Sequence, residues 1–149
     1  MEASLVMLVF LAFIFLVIEM SWGIFAKVTL QHAVRAGARY AVTSRTMTVN
    51  GTALGQVASI QQTVQKQSMG LITNPSVVSV TFYSVNGSTL QQVSGTGSNA
   101  GGNLVVVALS GFSLNPIAPL LHSASPILIS VSAGDLIESA GSGSAPPPL

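Results

Sequence analysis

The chain has 149 residues, of which 49% are hydrophobic and only 6% are charged, and its net charge is +1. This length fits one domain rather than two, and the charged share lies far below the about 25% of an ordinary soluble domain. A near-neutral chain offers no global field to a nucleic acid or an acidic substrate. The absence of cysteine excludes disulfides, thiolate metal sites and cysteine nucleophiles.

The first predicted element is a long apolar helix at the N-terminus. Residues 3–18 carry no charge, and the apolar run resumes after Glu19 and continues to Ala26. As a helix, about 24 residues span about 36 Å, enough to cross a bilayer core. A cleaved secretory signal is the alternative, but its apolar region would be about 7–15 residues long, with small residues at a cleavage site. We therefore expect residues 1–26 to form a retained transmembrane or filament-core helix. The side chains expected to pack in that core are Leu5, Leu8, Phe10, Phe13, Leu16, Trp22 and Phe25.

Two carboxylates accompany this helix, Glu2 at its start and Glu19 within it. Glu2 can be a solvated residue at the interface, and Glu19 can be a snorkelling or protonated side chain near the membrane edge. Because an unpaired carboxylate in hydrocarbon is costly, the alternative is an ion pair between subunits. Glu2 would then meet a neighbour's N-terminal ammonium, and Glu19 a neighbour's Lys27 or Arg35. Such pairs would fix the register of packed helices.

The basic residues bear on which side of the membrane the rest of the chain occupies. Lys27, Arg35, Arg39 and Arg45 all follow the span, and no Lys or Arg precedes it. The positive-inside rule alone would place the C-terminal part in the cytoplasm. We expect an exported domain instead, for two reasons. The chain as given can lack a basic leader, which would place positive charge before the span, and the rest of the chain has the features of an exported domain.

The helix is expected to continue as an amphipathic extension over residues 27–45, giving about 60 Å in all. From Lys27 to Arg39 a polar residue recurs every four positions and lines one face. The other positions are small, which lets another backbone approach closely. The polar stripe is interpreted first as a solvated face and alternatively as part of a subunit interface that includes Lys27, Arg35 and Arg39. His32 has no second ligand at metal spacing and is interpreted as structural.

Residues 46–138 are predicted to form a small α+β domain that begins with a polar turn and a second helix. Ala53, Val57, Ile60 and Val64 fall at helical spacing, and Gly70 is a suitable C-cap. After this helix the apolar residues no longer recur at helical spacing, and β-branched residues become frequent. The predicted strands are residues 77–83, 89–93, 104–109 and 127–132.

The predicted strands form one sheet. Asn86-Gly87 is a strong turn signal between the first two strands, and the third strand is apolar enough to be central. Because consecutive strands have short links, the sheet should be antiparallel. One of its faces should pack on the upper half of the first helix and on the second helix.

Three segments are predicted to be irregular. Residues 94–103 are rich in Gly, Ser and Asn and should form a mobile loop, and residues 115–122 form a Pro-bounded excursion. Residues 139–149 read as a flexible Gly/Ser/Pro tail. The fold class is therefore α+β, with a long hydrophobic helix packed on a small antiparallel sheet and a second helix.

No catalytic constellation is visible in the sequence. A hydrolase needs a nucleophile, a base and an orienting acid, and the spacing of His122 and Asp135 suggests no partnership. The Gly-rich residues 94–102 lack the Lys-Ser/Thr of a phosphate loop. We expect no enzyme activity, no cofactor and no metal.

The order of motifs along the helix resembles a known family. Three segments carry this resemblance: Glu2-Ala3-Ser4-Leu5-Val6, then Ile18-Glu19-Met20 with Trp22-Gly23, then Ala33-Val34-Arg35-Ala36-Gly37-Ala38-Arg39-Tyr40-Ala41. They resemble TadE/TadG-like pilins, the type IV pilin relatives of tight-adherence systems. Residues 104–109, 112–121 and 127–133, followed by Glu138, are similar to the family's strand, Pro-Leu-rich loop and closing strand.

The resemblance implies a precursor held in the bacterial inner membrane, cleaved by a prepilin peptidase and handed to pilus assembly machinery. The expected function is a pilin, a structural subunit of an extracellular filament, present as a helical homo-oligomer at the cell surface and without nucleic-acid partners. Two other interpretations stay open. One is a minor pilin or pseudopilin that primes assembly or secretion, and the other is a membrane-anchored binding module that displays its domain.

Overall fold

A computed structural model describes residues 2–115, 125–138 and 149 of the protein, without the side chains of residues 2, 4 and 5. The predicted excursion at residues 115–122, which includes His122, lies outside the described residues from position 116 onward. The predicted tail at residues 139–149 lies outside them except for its last residue.

The N-terminal helix is continuous. Helix α1 runs over Glu2–Val42, 41 residues, which corresponds to about 60 Å and confirms the predicted long helix. It ends three residues before Arg45, where the Thr43 backbone N–H and hydroxyl both donate to the Tyr40 carbonyl, at 3.2 and 2.8 Å. Ser44 then takes a positive φ of 48°, which turns the chain away from the helix axis.

A short hairpin follows that the sequence pattern did not reveal. Strands β1, Thr48–Val49, and β2, Thr52–Ala53, pair in antiparallel fashion. The Asn50-Gly51 turn between them has φ values of 50° and 79°, the conformation that tight hairpin turns require. The prediction that Ala53 begins the second helix is therefore wrong, because its backbone pairs with Thr48.

The second helix, α2, spans Gln56–Gln67 and buries Ile60 and Val64, as their spacing predicted. Its end differs from the prediction. Ser68 rather than Gly70 caps it, because the Ser68 hydroxyl donates to the Gln65 carbonyl at 2.7 Å and accepts the Ile72 N–H at 3.1 Å.

The remaining elements form one four-stranded sheet. After a 3-10 turn at Pro75–Val77, the strands are β3, Val78–Asn86; β4, Thr89–Val93; β5, Leu104–Leu114; and β6, Ile127–Leu136. Their spatial order is β4-β3-β5-β6, and every neighbouring pair is antiparallel. The prediction of an antiparallel sheet with the apolar third strand at its centre is confirmed, and most strands are longer than predicted.

The buried core lies between one face of this sheet, the upper half of α1 and α2. Along β5 the side chains alternate, so that Val105, Val107 and Leu109 point inward. Beyond Leu109 the register with β6 shifts at a bulge, where Gly111 has a φ of 69° and its N–H donates to the Ser130 hydroxyl at 3.2 Å. The helical part of the core consists of Ala26, Leu30, Ala33, Val34, Ala38 and Ala41 of α1 with Ile60 and Val64 of α2.

The Gly/Ser/Asn-rich loop before β5 is more ordered than its composition predicted. Ser98 and Asn99 are buried, and the Asn99 amide donates to the Gln56 side-chain oxygen at 2.8 Å. The amide of Asn103 donates to the Ser98 carbonyl at 2.8 Å. Side-chain amides tie this part of the loop to α2 and to itself, and its mobility stays a prediction.

Candidate assembly surface

The N-terminal part of α1 projects beyond the folded domain. We call residues 6–18 the exposed apolar segment. All but one of its side chains are exposed, with exposed fractions of 71% for Val6, 61% for Phe13 and 38% for Leu16. The segment is apolar around its whole circumference, and only 6% of the most apolar 18-residue window is buried. A helix that is hydrophobic on all sides belongs in a membrane or inside an assembly.

The side chains predicted to pack between helices lie on this projecting part or just above it. Leu8, Phe10, Phe13, Leu16, Trp22 and Phe25 are all exposed in the single chain. Trp22 and Phe25 stack on each other with ring centroids 5.6 Å apart. The side chain of Leu5 lies outside the description. These residues are available to a partner, and their packing between helices stays a prediction.

The upper half of α1 is covered by the chain's own domain. Small residues on one side of it let α2 and the sheet approach closely. At Gly37 the neighbours are Val64 and Ile60 of α2 and Val107 of β5. A β-carbon built at this glycine would overlap the Val64 side chain, with Ile60 and Val107 methyl groups 3.5 and 3.7 Å away. The small-residue face therefore serves intramolecular packing along this stretch.

Glu19 lies at the junction between the covered and uncovered parts of the helix. Its side chain is only 6% exposed and lines a groove between α1 and the start of β6. Lys27 lines the same groove on α1, and Ile127 and Ser130 line it on β6. The chain's own domain thus covers this carboxylate, and its predicted pairing with a neighbour's Lys27 or Arg35 stays a prediction.

The other predicted interface residues are accessible. Lys27, Arg35 and Arg39 are exposed, and the side chain of Glu2 lies outside the description. The structure brings Glu19 and Lys27 to one groove, whereas it holds Arg35 and Arg39 apart from that groove, farther up the helix. His32 is exposed on α1, and within the described ranges no three His, Cys, Asp or Glu side chains are grouped to hold a metal ion.

Sequence reasoning missed the buried polar side chains that fix the top of α1. Gln56 is fully buried, and its amide donates to the Ala41 carbonyl at 3.1 Å. Ser59, also fully buried, accepts the Met47 N–H at 2.9 Å and donates to the Gly55 carbonyl at 2.8 Å. Gln and Ser residues in a helix usually indicate a solvent-exposed face. The burial of these polar residues could have been predicted only from their helical spacing relative to the apolar Ile60.

Comparison with known proteins agrees with the resemblance. The family model described as TadE-like protein matches residues 1–39, which are most of α1. No curated protein and no solved structure matches the chain. The predicted resemblance to TadE-like proteins of tight-adherence systems is confirmed over those residues, and the α+β domain that follows lies outside the match.

Proposed function

We propose that the chain, which matches the TadE-like family model over residues 1–39, is a structural subunit of an extracellular Tad-like filament. It polymerises through residues 1–26, which lie in the inner membrane before assembly and in the filament core afterwards. Prepilin peptidase and the pilus assembly machinery are its processing partners, and the α+β domain faces outward at the cell surface.

The observation that carries this proposal is the contrast between the two halves of α1. One continuous helix is buried by its own domain at positions such as Leu30 and Val34 and left uncovered along residues 6–18. Both halves belong to one uninterrupted helix, Glu2–Val42. The exposed apolar segment therefore continues directly from the helix that the domain covers, an arrangement that suits a polymer with a helical core.

The energetics permit transfer of this segment between membrane and filament. Both surroundings are apolar, so leaving lipid for a bundle of copies exposes no new hydrocarbon to water. Association then depends on side-chain packing rather than on the hydrophobic effect. One side of the segment has a shallow apolar recess, which is lined by Val6, Val9, Phe10 and Phe13. This recess suits packing by the side chains of a neighbouring helix.

Shearing and imaging of surface material tests the proposal. Cells with an active prepilin peptidase would express the tagged full chain or its double variant Phe10→Ala with Phe13→Ala. Both residues stay apolar, so membrane insertion is preserved. Removing two large rings takes away side-chain packing between helices, on which association from lipid depends. We therefore expect wild-type filaments that carry the tag and a strong loss of filaments in the variant.

Leu90→Ala is the matched control, because Leu90 is an equally exposed apolar residue on strand β4. We expect this variant to form filaments like the wild type. Wild-type chain that stays monomeric in the membrane while the peptidase is active would refute the proposal. A few tagged copies per filament would instead indicate a minor pilin.

A further inference from the structure

Within the described residues, the exposed acidic side chains and the exposed basic side chains lie on different elements. Among the chain's four acidic residues, Glu19 is buried and the side chain of Glu2 is not described. The exposed carboxylates within the described ranges are therefore those of Asp135 and Glu138, at the end of β6. On α1, the exposed cations above the groove are Arg35 and Arg39.

The two arginines point away from the domain. The buried α1 positions centre on Leu30, Ala33, Gly37 and Ala41. At 3.6 residues per turn, Arg35 and Arg39 lie roughly 140–180° around the helix from that centre. Since β6 packs on the buried side of α1, the arginines and the β6 carboxylates lie on opposite sides of the helix.

The β6 carboxylates lie toward the same end of α1 as the arginines. Ile137, which lies between Asp135 and Glu138, exchanges backbone hydrogen bonds of 2.8 Å with the 102–103 segment. That segment adjoins Asn99, whose amide donates to Gln56, and Gln56 in turn donates to the carbonyl of Ala41. Ala41 is two residues beyond Arg39, so the carboxylates sit near the end of α1 where the arginines are.

We propose that Arg35 and Arg39 of one copy dock against Asp135 and Glu138 of an adjacent copy. Within the described residues none of the four takes part in an ion pair in the single chain. Copies standing side by side with parallel helices bring the arginine side of one toward the β6 side of the next. The contact is heterologous and does not close on itself in one pair, so it propagates along an assembly. This inference rests on the proposed filament function.

A second copy suits the arginines better than a membrane surface does. Arg35 and Arg39 follow Lys27, the first basic residue after the apolar run, by eight and twelve positions. Along a helix these positions rise about 12 and 18 Å above Lys27, whereas charge interactions are screened beyond about 8 Å at physiological salt. Exposed ion pairs add little affinity, so the expected role of the contact is to set orientation and register.

Crosslinking tests the contact directly, because the chain contains no cysteine of its own. Two differently tagged full-length chains, one with Ala36→Cys and the other with Leu136→Cys, would be co-expressed in cells with an active prepilin peptidase, where the chains can assemble. These positions adjoin the charged residues and leave all four charges in place. A short bismaleimide should join the two chains about fivefold more efficiently than when the second carries Ser79→Cys, on the exposed sheet face.

Charge reversal then tests whether the ions matter. Arg35→Glu with Arg39→Glu, added to the Ala36→Cys chain, should lower the crosslink yield about fivefold or more. Asp135→Lys with Glu138→Lys on the Leu136→Cys chain should restore it. Lys66→Glu, on the exposed end of α2, is the matched control and should leave the yield unchanged.

The outcomes separate this inference from the proposed function. A Val9→Cys chain, altered in the exposed apolar segment, reports helix association by itself. Suppose that Val9→Cys chains crosslink, but that Leu136→Cys gives no higher crosslink yield with Ala36→Cys than Ser79→Cys does. The arginine side then does not dock on β6 of a second copy, so the inference is wrong although the filament proposal stands. If Asp135→Lys with Glu138→Lys does not restore the crosslink yield of the charge-reversed chain, the proposed ion pairs are refuted as well. If Val9→Cys chains do not crosslink, self-association itself fails and both proposals fall.

Discussion

Replacing Gly37 by alanine tests the close approach between α1 and the rest of the domain. This glycine has ordinary helical geometry, so alanine brings no backbone strain. The added methyl group would overlap a Val64 methyl and contact Ile60 and Val107. Valine is stiff at its first side-chain torsion, so Val64 cannot swing away without moving α2 or the sheet.

The magnitude follows from two opposing effects. Alanine in a helix interior is favoured over glycine by about 1 kcal/mol, whereas overpacking a core costs about 1–3 kcal/mol. Gly37→Ala should therefore lower the free energy of unfolding by about 0–2 kcal/mol. Gly23→Ala is the matched control, because the same helix surrounds Gly23 and nothing lies within 4 Å of its added methyl. The two variants should differ by about 1–3 kcal/mol.

Chemical unfolding of the full chain in mild detergent, followed by circular dichroism, measures this difference. The double variant Gly37→Ala with Val64→Ala supplies a second test, since the smaller residue at position 64 makes room for the methyl group. We expect a favourable coupling of about 1 kcal/mol or more between the two sites. Equal stabilities of the two glycine variants, together with zero coupling, would refute the close packing of α1 on α2.

Three further changes test the hydrogen bonds and turns around the domain. Gln56→Ala removes a buried amide that donates to the Ala41 carbonyl and should lower the free energy of unfolding by about 1–3 kcal/mol, measured by denaturant titration. Ser59→Ala removes the hydroxyl that accepts the Met47 N–H and should increase hydrogen exchange at that amide several-fold. Gly111→Ala places a β-carbon at a φ of 69° and should lower the melting temperature, at a cost of about 1–2 kcal/mol.

Two of these variants have matched controls. Gln92→Ala alters an exposed glutamine on β4 and should leave the denaturation midpoint unchanged. Ser79→Ala removes an exposed hydroxyl and should leave exchange at Met47 as it is. An unchanged midpoint for Gln56→Ala would contradict the buried bond to α1. A melting temperature for Gly111→Ala equal to the wild-type value would contradict the positive φ at the bulge.

Local patterns account for most of the elements. The uninterrupted apolar and small-residue run predicted α1, because nothing in it breaks a helix and each residue adds one hydrogen bond. Strand β4 was predicted with its observed bounds, but the two-residue loop is Gly87-Ser88 rather than the predicted Asn86-Gly87, because Asn86 pairs with Thr89 and the positive φ of 60° falls at Gly87. The apolar third strand proved central, and its inward side chains Val105, Val107 and Leu109 are buried against the helices.

The errors have different origins. Ala53 has helical spacing relative to Val57, yet its backbone pairs with Thr48 across the Asn50-Gly51 turn, a local hairpin signal that the helical spacing obscured. The loop before β5 has a flexible composition, yet Asn99 is buried against Gln56, 43 residues away in the chain, and no local pattern could predict that contact.

By itself the sequence determined that the chain begins with a helix apolar enough for a membrane or filament core, and that an antiparallel α+β domain follows it. Those features depend on the order of residue types and on short-range hydrogen bonds. Only the tertiary structure decided which part of the helix stays uncovered, that Glu19 is enclosed by β6, and that Arg35 and Arg39 lie across the helix from Asp135 and Glu138. These relations depend on how α1 is rotated against the sheet, and packing between elements far apart in the chain sets that rotation.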